Sequence, residues 1–101
     1  MVIKMHPNRK KLNEEIAKCK AQGLKVQFVP DKRTADFIGM NDKVGKKLGF
    51  RMKGKTLQVD NNLTLKEKRA VLAHERIERG LMAKGSPYWK AHKEALRREN
   101  G

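Results

Sequence analysis

One cysteine in 101 residues, Cys19, excludes a disulfide framework within the chain and a zinc ribbon of several thiolates. Such a fold has to be held by its core or by ligands other than sulfur, and the expected surroundings are reducing. No stretch approaches the ~20 apolar residues of a membrane span. The opening Met1-Val2-Ile3-Lys4-Met5-His6-Pro7 has no sustained apolar run after its first charge. A cytoplasmic protein with no membrane partner is the expectation. Aromatic residues make up 5% of the chain, so stacking platforms for single-stranded nucleic acid are poorly supplied. Acidic residues are few as well, 11 against 25 Lys and Arg, which leaves a formal charge of +14 and a pI of 10.3. Length bounds the rest: 101 residues support a single domain, 1–101, with a modest core and no enclosed cofactor cavity under a lid.

What is present is periodic. Leu12, Ile16 and Cys19 recur at helical spacing across residues 8–22, and Gly23 follows where a left-handed cap would sit. Leu24, Val26 and Phe28 alternate with Lys25 and Gln27, which predicts a half-buried strand closed by Pro30-Asp31. Residues 31–54 are broken by Gly39, Gly45, Gly49 and Gly54, so short hairpins with basic tips are expected there, Phe37-Ile38 opening one strand. Leu57 and Val59 alternate over 55–60 in a further strand ended by Asn61-Asn62. Thr64 and Glu67 have the spacing of a capping box, opening a helix that runs to Lys84 and stops at Gly85. Ser86-Pro87 supplies an N-cap and a first-turn proline for a last helix. The predicted fold is α+β, with a short, mostly antiparallel sheet packed on a long helix and a C-terminal helical hairpin.

The long helix places two polar residues on its core face. Its apolar stripe reads Val71, Ile77, Leu81 and Met82; His74 and Glu78 share that angle, while Arg69, Arg76 and Arg79 lie away from it. The last helix repeats the pattern, with His92 amid Tyr88, Ala91, Ala95 and Leu96. In an antiparallel hairpin Glu78 and His92 both lie roughly 9–10 Å from the turn, and His74 is one helical turn further away, so the three converge on one ion. Two imidazoles and a carboxylate are the open three-ligand set of catalytic zinc, leaving a position for a water whose pKa falls to about 7. Glu75 projects about 100° round the helix from that face, which suits a general base rather than a ligand.

At His74-Glu75-Arg76-Ile77-Glu78 the chain resembles the zincin metallopeptidases, in particular the gluzincin type, whose H-E-x-x-H helix is followed by a helix bearing a glutamate ligand. Here the second histidine and the glutamate look exchanged. The resemblance implies His74 as first ligand, Glu75 as base, Glu78 and His92 as the other ligands, zinc as the ion and a peptide as substrate. It also implies that the strand 55–60 is the sheet edge along which the substrate lies. The segment is similar as well to small proteins of archaeal and phage genomes with an H-E-x-x-E…L-M-x-x-G-x-x-Y-x-x-A-H pattern, matched here by Leu81-Met82, Gly85, Tyr88 and Ala91-His92. The alternative reading is that His74, Glu78 and His92 form a structural polar cluster that orders the hairpin without chemistry, in a basic nucleic-acid-binding protein. His6 reads as a surface residue.

Gly49 to Thr56 fits G-x-x-x-x-G-K-T, yet a phosphate loop needs a strand before it and a helix after it, whereas a strand is predicted to follow. The basic residues in this region, Lys43, Lys46, Lys47, Arg51, Lys53 and Lys55, are instead a candidate nucleic-acid patch, with steep salt dependence and no sequence preference. A helix-turn-helix with Lys90, Lys93, Arg97 and Arg98 on its reading helix is permitted by the Gly85-Ser86-Pro87 turn, but leaves the inward His74 and Glu78 unexplained.

Overall fold

Helix ends and strand alternation set the frame. In the computed structural model of the chain, residues 7–30, 38–50 and 52–98 are described; His6, Phe37 and Arg51 lie outside them. Helix α1 spans Pro7–Ala21, strand β1 Lys25–Val29, β2 Gly39–Asn41, helix α2 Asp42–Lys47, β3 Thr56–Asp60, α3 Leu65–Ala83 and α4 Tyr88–Arg98. The fold is α+β with a C-terminal helical hairpin, as the sequence predicts.

Two helices stop by the same device. After α3, Gly85 takes a φ of +100°, its N–H bonds to Met82 O and that of Ser86 to Leu81 O. After α1, Gly23 at φ +75° donates to Lys20 O and Leu24 to Cys19 O. Both are Schellman closures, in which a left-handed residue satisfies the last orphan carbonyls and turns the chain back on itself. The start of α3 is fixed by the predicted box: Glu67 N–H donates to Thr64 Oγ1 at 3.2 Å, and Thr64 N–H to Glu67 Oε1 at 3.0 Å. The Ser86 hydroxyl does not cap α4 as predicted; it donates to Pro87 O at 3.5 Å, and the helix starts one residue after the proline.

The sheet is mixed rather than mostly antiparallel. Its order is β1-β3-β2, with β3 central, parallel to β1 and antiparallel to β2. Strand 55–60 is therefore not a sheet edge, because both its sides are hydrogen-bonded. The predicted hairpins of the middle segment are replaced by the three-residue β2 and by α2, whose first amides are capped by Asn41 Oδ1, 3.0 Å from the N–H of both Lys43 and Val44. Register puts Gly39 and Asn41 of β2, Leu57 and Val59 of β3, and Val26 and Phe28 of β1 on one face. Gln27 and Gln58 pair at 3.2 Å on the other face.

Helices α1 and α3 cover the first face, and α4 packs on α3. The core is Leu12 and Cys19 of α1, Leu24, Leu57 and Val59, and Leu72 of α3. The deepest apolar residues of α3 are Leu72 and Ala73, not the predicted stripe of Val71, Ile77, Leu81 and Met82, each of which is only half-buried. The helix touches α1, two strands and α4, so more of its circumference is covered than one stripe provides for. Among the described residues no helix is long and apolar enough to cross a membrane.

Candidate metal centre

The α3–α4 hairpin brings His74, Glu78 and His92 together as the spacing predicts. On α4, Ala91 and Ala95 are almost fully buried and carry only methyl groups, which lets the helix close on α3 and carries His92 onto Glu78. His74 Nε2 lies 2.9 Å from Glu78 Oε2 and 3.1 Å from His92 Nδ1, and His92 Nδ1 is 2.9 Å from the same Glu78 oxygen. The two rings meet edge to face with centroids 4.7 Å apart. His74 and Glu78 are buried; the His92 side chain is 40% exposed and forms the open side.

With Glu78 ionised and both imidazoles neutral, protons alone leave one edge of this triangle unsatisfied. An imidazole nitrogen holds either a proton or a lone pair at its single in-plane position. If both nitrogens donate to Glu78, two N–H groups face each other across 3.1 Å. If one histidine donates to the other, a bare nitrogen faces the carboxylate at 2.9 Å. A cation that accepts all three lone pairs resolves every edge. Tetrahedral ligation at about 2.0–2.1 Å sets ligand atoms about 3.3 Å apart, close to the separations seen here. His74, Glu78 and His92 also form the one metal-capable group of His, Cys and acidic residues among those described.

Glu75, one residue after the first histidine, is buried at 6% exposure and points at β2. Burial, then the neighbouring Glu78 charge, push its carboxyl up to about 8, while His74 and Asn41 pull the other way. Asn41 went unnoticed in the sequence. Its Nδ2 donates to Glu78 Oε1 at 3.0 Å and reaches Glu75 Oε1 at 3.4 Å, while its oxygen is held by the α2 amides, so the amide can point only this way. The signal that could have found it is an Asn directly before Asp42 at a helix start. Gly39, two residues earlier on the same face, allows the close approach of β2 to α3: a Cβ there would sit 2.5 Å from Val71 Cγ1 and 3.2 Å from Glu75 Cγ.

His74, Glu75, Glu78 and His92 line a cavity of ≈ 330 Å³ whose remaining walls are mostly apolar, among them Ile38, Val71 and Leu96. Tyr88 stands at its mouth, 5.4 Å from the His92 ring, with its hydroxyl pushed to a higher pKa by burial, then by Glu78 and Glu75.

Arg76 and Arg79 do not stay in solvent. Arg76 Nε donates to the buried Glu15 at 2.6 Å, and Arg79 Nε to Asp42 at 2.5 Å. Of the basic patch, Lys43, Lys46 and Lys47 line one cleft beside the Gly85-Ser86-Pro87 turn; Lys53 and Lys55 are exposed outside it, and Arg51 lies outside the described residues. The G-x-x-x-x-G-K-T segment leads into strand β3, so it lacks the helix a phosphate loop requires. No protein-family model, curated protein or solved structure matches the chain.

Proposed function

We propose that this chain is a cytoplasmic, zincin-like zinc hydrolase acting on peptide bonds, with His74, Glu78 and His92 holding the ion and Glu75 as general base. The observation that carries the reading is the His74–Glu78–His92 triangle, three ligand atoms within 3.1 Å of one another that a single cation would satisfy together when Glu78 is ionised. When bound, zinc would polarise a substrate carbonyl and lower the pKa of a water within its reach.

The chain's own groups account for the rest. Glu75 is close in sequence and space to the ligands but is not one of them, and burial and the Glu78 charge make its carboxylate a stronger base than an ordinary glutamate. Asn41 fixes the Glu75 and Glu78 carboxylates from behind through one amide. The apolar cavity walls keep bulk water from Glu75 and accommodate an uncharged side chain of the substrate. With β3 enclosed in the sheet, the strand beside this cavity is β2.

Metal analysis of untagged protein, alongside His74→Ala and His92→Ala, tests the centre: one zinc per chain is expected in the parent and none in either variant. A parent that takes up no zinc when supplied with it leaves the polar cluster as structure only. Glu75→Gln then tests the chemistry, since it should keep the metal and lose cleavage of a fluorogenic peptide library. Unchanged turnover removes Glu75 from the mechanism.

A further inference from the structure

The face of α4 turned away from the metal centre carries the most exposed large apolar side chain described. Trp89, the chain's single tryptophan, is 69% exposed. An indole left in water on a folded helix is unusual, because it forgoes the burial that aromatic residues otherwise supply. It lies in a cleft floored by Leu81 and rimmed by Lys90 and Lys93. Ser86 lines this cleft and also the next, where Lys43, Lys46 and Lys47 gather, so the two are adjacent. Among the described residues none of these five lysines is ion-paired, and Glu94, the acid beside Trp89, is already taken by Arg97 and Arg98.

We infer that this surface binds single-stranded nucleic acid, a base stacking on Trp89 and the phosphodiester backbone running over Lys90 and Lys93 toward Lys43, Lys46 and Lys47. Charge complementarity selects a polyanion, since the face has five uncompensated cations on a chain of net +14. The indole narrows the polyanion to one with accessible π-faces, which a duplex conceals and a single strand offers at every nucleotide. This differs from the sequence expectation in two ways. The stacking group exists despite the scarcity of aromatics, and the lysines that matter come partly from α4. The site shares no residue with the metal centre and does not depend on it.

Because Trp89 is the sole tryptophan, its emission reports contact directly. Titration with oligothymidylate and oligouridylate of about 12 nucleotides should quench it, whereas a duplex of the same length should not. Whichever single strand binds more tightly identifies DNA or RNA as the partner. By anisotropy of labelled oligonucleotide, Trp89→Ala should weaken binding about tenfold. The double variant Lys90→Glu/Lys93→Glu should weaken it at least about tenfold and flatten the salt dependence. Lys10→Glu/Lys11→Glu, an equal change of charge on exposed α1, should cost less than about twofold. His74→Ala should bind as the parent does, so this test stands whether or not zinc is held. Unchanged Trp89 emission at saturation, equal losses in the two double variants, or quenching by anionic vesicles but not by oligonucleotides would each overturn the assignment.

Discussion

Helix α3 buries acid on two flanks and treats it in opposite ways. On one flank each carboxylate has its own permanent cation: Arg76 sits on Glu15, and Arg79 on Asp42. On the other, Glu75 and Glu78 are buried side by side with one amide and two imidazoles, and no Lys or Arg approaches them among the described residues. A chain with 25 Lys and Arg does not lack cations to place there. Burying an uncompensated carboxylate costs several kcal/mol. The two flanks therefore teach that one is complete by itself, whereas the other is the one the proposed ion would complete.

The comparison breaks most visibly when that ion is supplied. At a thousandfold excess of zinc over its dissociation constant the parent should gain about 4 kcal/mol against denaturant, and His74→Ala or His92→Ala should gain nothing. Variants that respond like the parent would place the ion elsewhere. The arginine flank should show the reverse: Arg76→Ala is expected to lose about 2 kcal/mol with or without zinc, because it takes the close cation from the buried Glu15 and leaves it Lys18 at 3.8 Å. The matched pair Glu15→Gln/Arg76→Met should recover most of that loss in the same unfolding curves. A zinc-dependent loss in Arg76→Ala would mean that the flanks are coupled.

Asn41 sharpens the contrast, as the side-chain amide that donates to both members of the uncompensated pair. Asn41→Ala removes the α2 cap and the hydrogen bonds to both carboxylates, at a cost of about 2 kcal/mol. Asn41→Ser keeps a capping oxygen and should restore about 1 kcal/mol of this. If Ser restores all of it, the amide is a helix cap and nothing more.

What could be read in advance follows the range of the interactions. The Thr64 box, the Gly23 and Gly85 stops, and the alternation of β1 and β3 are local, and they were legible. So were His74, Glu78 and His92, because helical rise and one tight turn suffice to bring them level. The parallel pairing of β1 with β3 is set by a long crossover that leaves no mark in either strand. Strand β2 has three residues, too few for alternation to show, and α2 hides behind Gly45, a poor helix former. Asn41 was lost with β2, since its partners lie 34 and 37 residues away. The helical pattern places Arg76 and Arg79 away from the core stripe and no more; their partners on α1 and α2 come from outside that pattern.

The subtlest difference between the flanks is the pH at which each yields. Burial raises the Asp42 pKa, but the Arg79 hydrogen bond, the Lys55 backbone amide and the Arg79 charge together outweigh it and hold the carboxyl below its ordinary 3.8. The folded state thus binds that proton less readily than the unfolded chain, and the Asp42 contribution is complete above the unfolded value and lost as pH falls through the lower, folded one. Glu75 runs the other way. Its folded pKa of about 8 against an ordinary 4.5 means that the metal-free fold keeps a proton the unfolded chain has released, so stability declines as pH rises between these values. From about pH 6 to about pH 7, with chelator present, the parent should lose about 1 kcal/mol. Glu75→Gln should abolish that decline and leave the acid limb intact, and Asp42→Asn should soften the acid limb and leave the decline. A neutral-range slope that survives Glu75→Gln would show that the decline does not come from this carboxyl.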